Sequence, residues 1–452
     1  MADHGAVSML VAALAAVAAA ATLQFFYKMY RTRTRLASLP GPPHSFLWGH
    51  LKVMGEIAAT FPPNMHPQSY ITAISQKYEL KGIFYLDLWP VADPQVILIE
   101  PDLMDQVQVK RAYNQHPMSE EMLGNIVGPN VVATANGPVW KKLHHAMAPS
   151  FLQSHVRTLT GLMADETMQF RSRLTSLADS GGAFSFEKEC SKLIFDIVAQ
   201  IVFNFSLHAQ TQGSSYLDDL KETIELFTQS LGLNPLVKLK VRWKKGAITK
   251  RLDAAIRTQI EDRWATLRQE KMVPTRKNFL SILDLMLRET LSRDGLGDTK
   301  STKLPKEELD LLVTNSTVTY QNQVYPIGDL VITPCWHTMH YDEAFFPSPS
   351  SFRPERFLGD DAVPRGWFRS FSRGARACLG QDLAMDMMRV VLLLTARDYD
   401  FACAGVLPND KPKSKYTNLD TVFGDIVFAE LGMEARPRGG MMMTVKESGY
   451  CQ

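Results

Sequence analysis

The sequence predicts a mainly α-helical body with a small β portion, carried behind an N-terminal transmembrane helix. Three observations predict it. The run Ala6–Tyr27 is apolar and uncharged, four later segments repeat apolar residues at three- and four-residue spacing, and Gly82–Trp89 and Pro94–Ile99 form a pair of β-rich runs. The 452 residues are 45% hydrophobic and 21% charged, which supplies a large core and excludes a disordered or fibrous protein. A formal net charge of +2 gives no reason to expect a nucleic-acid partner.

As a helix, Ala6–Tyr27 would run about 33 Å, enough for the roughly 30 Å hydrocarbon core of a bilayer. Asp3 and His4 precede it, while Lys28, Arg31, Arg33 and Arg35 follow. A cleaved leader would carry positive charge ahead of the run. Here the basic flank follows, which predicts a body on the cytosolic side. Residues 1–35 thus read as anchor and basic flank. Residues 36–46 contain Leu39-Pro-Gly-Pro-Pro-His44, a stiff extended connector expected to uncouple the direction of the anchor from that of the body. Residues 47–452 form the large domain.

Within that domain, Ser69–Pro101 reads as short and β-rich. Helices are expected over Lys188–Leu207, Tyr216–Leu231, Ile248–Lys271 and Asn278–Ser292. Asp218, Asp219 and Glu222 fall in the first turns of the second, where the helix dipole favours acids. Pro305–Val313 starts like a helix and stops, and Asn315–Pro326 is β-branched and polar, a hairpin pattern. Arg389–Arg397 returns to helix, and Val422–Val445 is strand-like.

Of five widely spaced cysteines, Cys190, Cys335 and Cys403 lie in apolar runs and read as small buried hydrophobes, and Cys451 lies in the tail. The absence of a pairing pattern suits reduced thiols. Cys378 stands apart, within Phe371-Ser-Arg-Gly-Ala-Arg-Ala-Cys-Leu-Gly380. Gly374 and Gly380 allow a tight turn close to a flat ligand. Arg376 can meet a ligand carboxylate. Phe371 can pack around the sulfur. The helix that follows from Gln381 aims its positive dipole end at a thiolate.

This string resembles the signature of the cytochrome P450 family, with Phe, Gly, Arg, Cys and Gly at the family's positions. Phe352-Arg-Pro-Glu-Arg-Phe357 matches its PERF segment. Trp140-Lys-Lys-Leu-His144 resembles its propionate-binding helix, with His144 where the family often has arginine. The resemblance implies a haem-thiolate monooxygenase fold, with Cys378 as axial ligand of the iron of haem b. It also implies insertion of one oxygen atom from dioxygen into an apolar small molecule, with electrons from an NADPH-dependent flavin reductase. Lys141, Lys142 and Arg373 are candidates for the reductase's docking patch. The anchor and the terminal segments look most like fungal microsomal members, many of which act in secondary metabolism, and imply a single pass through the endoplasmic reticulum membrane.

Two family features are missing. No Gly-x-Asp/Glu-Thr stretch is present, and no glutamate is followed three places later by arginine. Between Val313 and Tyr325 there is no room for a long central helix of about 25 residues. An internal deletion near 313–325 follows, leaving the domain incomplete. No catalytic residue is identifiable, since Thr314, Ser316, Thr317 and Thr319 read as strand or turn. Arg356, deprived of its usual carboxylate, must find another partner or solvent. From these absences the chain as written is expected to hold haem loosely and to fail to couple reductant to hydroxylation, and the alternative to a monooxygenase is a non-catalytic or defective haem-binding membrane protein arising from a truncated gene or isoform.

Overall fold

The computed structural model describes residues 2–293 and 316–449, apart from 112, 129–130, 231–233, 270–280, 361, 406–415, 420–428 and 432–434. Helix α1 (Ala2–Leu36) contains the apolar run and is long and apolar enough to cross a membrane. It does not stop at the basic flank. Its last turns enter the body, where Leu36 is buried and Arg33 forms a buried ion pair with Asp87. Arg33 also donates to the Trp89 carbonyl at 2.7 Å, and Arg35 donates to the carbonyl of Gly328.

The proline connector is tied down too. The Tyr85 N–H donates to the Pro40 carbonyl at 2.8 Å. The expected uncoupling of anchor and body is therefore corrected. Proline stiffness fixed the connector's shape, while Arg33 and Tyr85 fixed it to the sheet.

Strands β1 (Ile83–Leu86) and β2 (Gln95–Leu98) pair antiparallel as expected, with Ile83 opposite Leu98. The residues before them are not β-rich. Pro67–Lys77 is helix α2, with Pro67 in its first turn and the His66 side chain accepting from Gln68 N–H. Ile71, Ala73 and Ile74 form its buried face.

Helix α3 (Gly137–Met147) is followed by α4 (Thr160–Ser180). After strand β3 (Phe184–Ser185) come α5 (Phe186–Phe203), α6 (Ser215–Ser230), α7 (Pro235–Gln269) and α8 (Ile282–Arg293). The four expected amphipathic helices are present as α5 to α8. Two boundaries differ: α5 ends at left-handed Asn204 before Leu207, and α7 begins at Pro235, well before Ile248.

The expected hairpin is β4 (Thr317–Tyr320) against β5 (Gln323–Pro326), so Thr317 and Thr319 are strand residues. The Pro305–Val313 start and Thr314 lie outside the described residues. Strand β6 (Val331–Pro334) joins β2 in parallel. Helix α9 (Gln381–Thr395) follows the Cys378 loop. Strands β7 (Tyr399–Cys403), β8 (Ala429–Leu431), β9 (Ala435–Pro437) and β10 (Met442–Glu447) complete the chain, with β10 between β3 and β7.

The largest core cluster joins Met163, Phe170 and Leu174 of α4, Leu193 and Ile197 of α5, Leu383 and Met387 of α9, and Val445 of β10. Each such apolar side chain contributes about 1.5–3 kcal/mol on burial. Of the cysteines read as buried, Cys335 is buried and Cys190 is half-buried, its thiol pushed up to about 12 by burial. Cys403 is exposed, at the end of β7, and Cys451 lies outside the described residues.

Because Arg33 belongs to the body, two truncations should differ. Removing residues 1–24 should leave the stability of the body unchanged. Removing 1–35 takes the guanidinium from buried Asp87, leaving it His44 at 3.0 Å, and should cost about 3 kcal/mol in denaturant unfolding. Equal midpoints would contradict the ion pair.

Candidate functional site

The Cys378 loop closes on itself before α9 begins. The Cys378 N–H donates to the Phe371 carbonyl at 2.9 Å, so Phe371 contributes its backbone to the turn. Gly374, at φ +82°, lies against the carbonyl oxygen of Gln108, with which a Cβ would collide. Gly380 also lies in a tight turn, with the Gln381 N–H donating to the Cys378 carbonyl at 3.4 Å. Its φ is −84°, and a Cβ there would meet Phe151 and the Cys378 sulfur at ordinary contact distances of 3.8 and 3.9 Å. Its role here is as residue before the helix, not as a left-handed turn.

Cys378 itself is exposed, three residues before the N-terminus of α9, whose dipole favours the thiolate. Arg376 stands to one side. Its guanidinium carbon lies 4.2 Å from the Trp140 ring centroid, a cation–π contact. One of its nitrogens donates to the Ala135 carbonyl at 2.8 Å and another to Asn136 Oδ1 at 2.9 Å. The Trp140 and His144 rings are 4.9 Å apart on α3. Burial pulls the Arg376 pKa down from its ordinary value, but guanidinium stays cationic across the physiological range.

Thus the structure brings Arg376, Trp140 and His144 together beside the Cys378 loop, from two segments more than 200 residues apart. It adds Asn136, which sequence reasoning missed. Asn136 accepts from the Gln115 N–H at 2.8 Å and donates to the Gln115 carbonyl at 3.1 Å, while receiving Arg376. The signal available was Asn-Gly-Pro immediately ahead of a helix. Arg369 was also missed. It is buried and ion-paired with Asp105 at 3.0 Å.

Asp105 also pairs with Arg373 at 3.0 Å, and the Arg373 side chain, a candidate for the docking patch, stays exposed. Lys141 and Lys142 are exposed on α3. Arg356 has found the partners that its missing carboxylate required. Its guanidinium donates to the carbonyls of Arg353, Pro347, Ser348 and Ser351, at 2.9–3.1 Å. A cavity of about 540 Å³ lies between α5, α6 and α7, lined by Phe195, Phe203, Tyr216, Leu220, Leu252 and Ile256 among others.

The two loop glycines should separate on substitution. Gly374→Ala forces a side chain into the left-handed region and against Gln108, and should cost 2 kcal/mol or more, on the order of combined strain and clash. Gly380→Ala should stay within about 0.5 kcal/mol. Denaturant unfolding of both variants checks this.

Comparison with known proteins agrees with the geometry. The cytochrome P450 family model matches residues 39–318 and again 313–421, so its two matched segments meet beside the expected deletion. The chain is 26% identical to cytochrome P450 monooxygenase acrF of Aspergillus aculeatus, over 494 aligned positions covering 85% of this chain and 98% of that one. Since 85% of 452 residues is about 384, about 110 of those positions have no residue of this chain opposite them. Cytochrome P450 monooxygenase PC-20 of Penicillium crustosum is also 26% identical, over 408 positions covering 86% and 87%. There, 86% of 452 is about 389, leaving about 19 unmatched positions.

The crystal structure of the cytochrome P450DA heme domain shares the fold, with a TM-score of 0.66 at 14% identity over 91% of this chain and 98% of that one. From the matched family model, the shared fold and the Cys378 loop, the conclusion is that this chain belongs to the cytochrome P450 family of haem-thiolate monooxygenases.

Proposed function

We propose that the chain holds haem b through Cys378 and inserts one atom of dioxygen into a C–H bond of an apolar small molecule in fungal secondary metabolism. The observation that carries this is Arg376 laid on Trp140 beside the exposed Cys378 sulfur, at the mouth of α9. That donor set fits the group: a soft thiolate for iron, and a cation for a carboxylate. When bound, haem supplies the redox-active iron that activates dioxygen.

The chain's own residues then have defined tasks. Cys378 ligates, and the N-terminus of α9 holds its negative charge. Arg376 and His144 receive the propionates, while Trp140 and Asn136 fix the direction of Arg376. The cavity between α5, α6 and α7 has the size and apolar lining of a small-molecule site.

Electrons come from an NADPH-dependent flavin reductase that docks on the face carrying Lys141 and Lys142. Helix α1 anchors the protein in the endoplasmic reticulum membrane, with the body facing the cytosol. An internal deletion near 313–325 leaves the part of the family's Gly-x-Asp/Glu-Thr stretch unassigned in this chain. The comparisons favour monooxygenase over the non-catalytic alternative, because acrF and PC-20 are both monooxygenases by name and PC-20 aligns without a long insert.

The test is expression of the full chain with a flavin reductase. The ferrous carbonyl complex should give a thiolate-type spectrum that disappears in Cys378→Ala and persists in Cys190→Ala, Cys335→Ala and Cys403→Ala. Supplied with NADPH and an apolar substrate panel, it should give products carrying one added oxygen. A thiolate spectrum in Cys378→Ala would overturn the ligand. A stable spectrum without product from any substrate would overturn the monooxygenase reading.

A further inference from the structure

The stretch of chain leading to Cys378 is braced at four places against one turn of a distant segment. That segment is the short helix Pro101–Asp105 and the wider turn Gln106–Lys110 that continues it, closed by the Arg111 N–H donating to the Gln106 carbonyl five residues back at 3.1 Å. Widened turns of this kind shift side chains out of helical register and are frequent at functional sites. Pro101, Leu103, Met104 and Val107 are buried, so the turn is itself held by the core.

Asp105 gives one carboxylate oxygen to each of two arginines. Its Oδ1 lies 3.0 Å from the guanidinium of Arg369, which is 1% exposed, and its Oδ2 accepts from Arg373 at 3.0 Å. Arg369 also donates to the carbonyls of Gly366 at 2.8 Å and Pro101 at 3.1 Å. A Cβ on Gly366 would collide with the Arg373 guanidinium, so the two arginines close round that backbone. A guanidinium buried this fully keeps its charge and needs a carboxylate beside it. The Asp105–Arg369 pair is therefore a fixed point, not a surface pair that solvent can replace.

Gln108 makes the other two ties. Its side-chain nitrogen donates to Ser372 Oγ at 3.2 Å, and its backbone carbonyl lies against Gly374. Ser372 has φ +61°, a left-handed backbone that serine keeps only where its surroundings impose it. The Ser372 N–H donates to the Arg369 carbonyl at 2.9 Å, so the buried arginine and the strained serine belong to one turn. Cys378 follows Gly374 by four residues. Where this turn sits, the sulfur is carried with it.

We propose that Asp105 is a positioning residue for the Cys378 thiolate, holding the 369–374 turn where it directs the sulfur at the haem iron. This rests on Cys378 ligating that iron. Asp105 acts through the two arginines, and it acts in two ways. It fixes the turn, and its charge offsets one of the two cations that the turn carries toward the thiolate. Asparagine keeps the size of the side chain and loses the charge, while glutamate keeps the charge.

The experiment loads the full chain with haem and records haem content together with the ferrous carbonyl spectrum, which separates thiolate-ligated from thiol-ligated iron. A wild-type protein without the thiolate form would overturn the Cys378 reading itself. In Asp105→Asn the thiolate fraction of the retained haem should fall at least threefold, and in Asp105→Glu it should recover to at least half the wild-type fraction. Loss of haem with an unchanged thiolate fraction in the remainder would mark a merely structural pair and overturn the proposal, as would an unchanged fraction at full haem content. A fall in Asp105→Asn without recovery in Asp105→Glu would overturn the role of the charge. Should Asp105→Asn fail to fold, Arg373→Met decides, because Arg373 is 49% exposed and its loss leaves Asp105 paired with Arg369. Its thiolate fraction should fall at least twofold, and a wild-type fraction there would overturn the proposal.

Discussion

The packing of α9 against α4 determines where the Cys378 loop sits. Leu383 and Met387 share one core cluster with Met163, Phe170 and Leu174, so the first turns of α9 are held by tightly packed side chains. Cys378 lies three residues ahead of that helix, and its loop is closed by a backbone hydrogen bond to Phe371. A thiolate on a free loop would wander. Here its position is inherited from a core that tolerates little movement, and the cation at Arg376 is positioned independently by Trp140 and Asn136.

Much of this site was legible in the residue order. Cys378, Arg376, Trp140 and His144 carry side chains whose chemistry is specific, and their local spacing survives in the fold. Asn136 was not legible, because its work is done on the backbone of Gln115, a partner defined by tertiary structure alone. Gly380 was read as a turn residue and lies in a turn, but with an ordinary φ of −84°, since glycine in a string does not say which glycine needs φ > 0. Cys403 misled for a different reason. It shares its strand face with buried Tyr399 and half-buried Phe401, but it is the last residue of β7, where the cover of the core has ended.

The fold divides in the same way. Helices α5 to α8 announce themselves by periodicity, and the β4–β5 hairpin by its β-branched residues. Helix α2 is short and half-polar, and its start signal, Pro67 after His66, was overshadowed by the strands that follow. The buried role of Arg33 could not be seen at all. Next to Lys28, Arg31 and Arg35 it looks like one more headgroup contact, and its carboxylate, Asp87, is distant in sequence. An arginine buried this completely is tolerable because that pair and the carbonyls of Trp89 and Leu47 replace its water.

Arg356 carries a different consequence. Its guanidinium ties together the carbonyls of Pro347, Ser348, Ser351 and Arg353, all within ten residues of itself. A loop whose cation is satisfied by its own backbone has no debt to a distant carboxylate. Such a knot can keep its shape when a neighbouring stretch of chain is cut out, much as a self-locking rivet outlasts the plate beside it. A cut in the chain is then least disruptive where it leaves such a self-contained loop whole, and residues 347–356 form one.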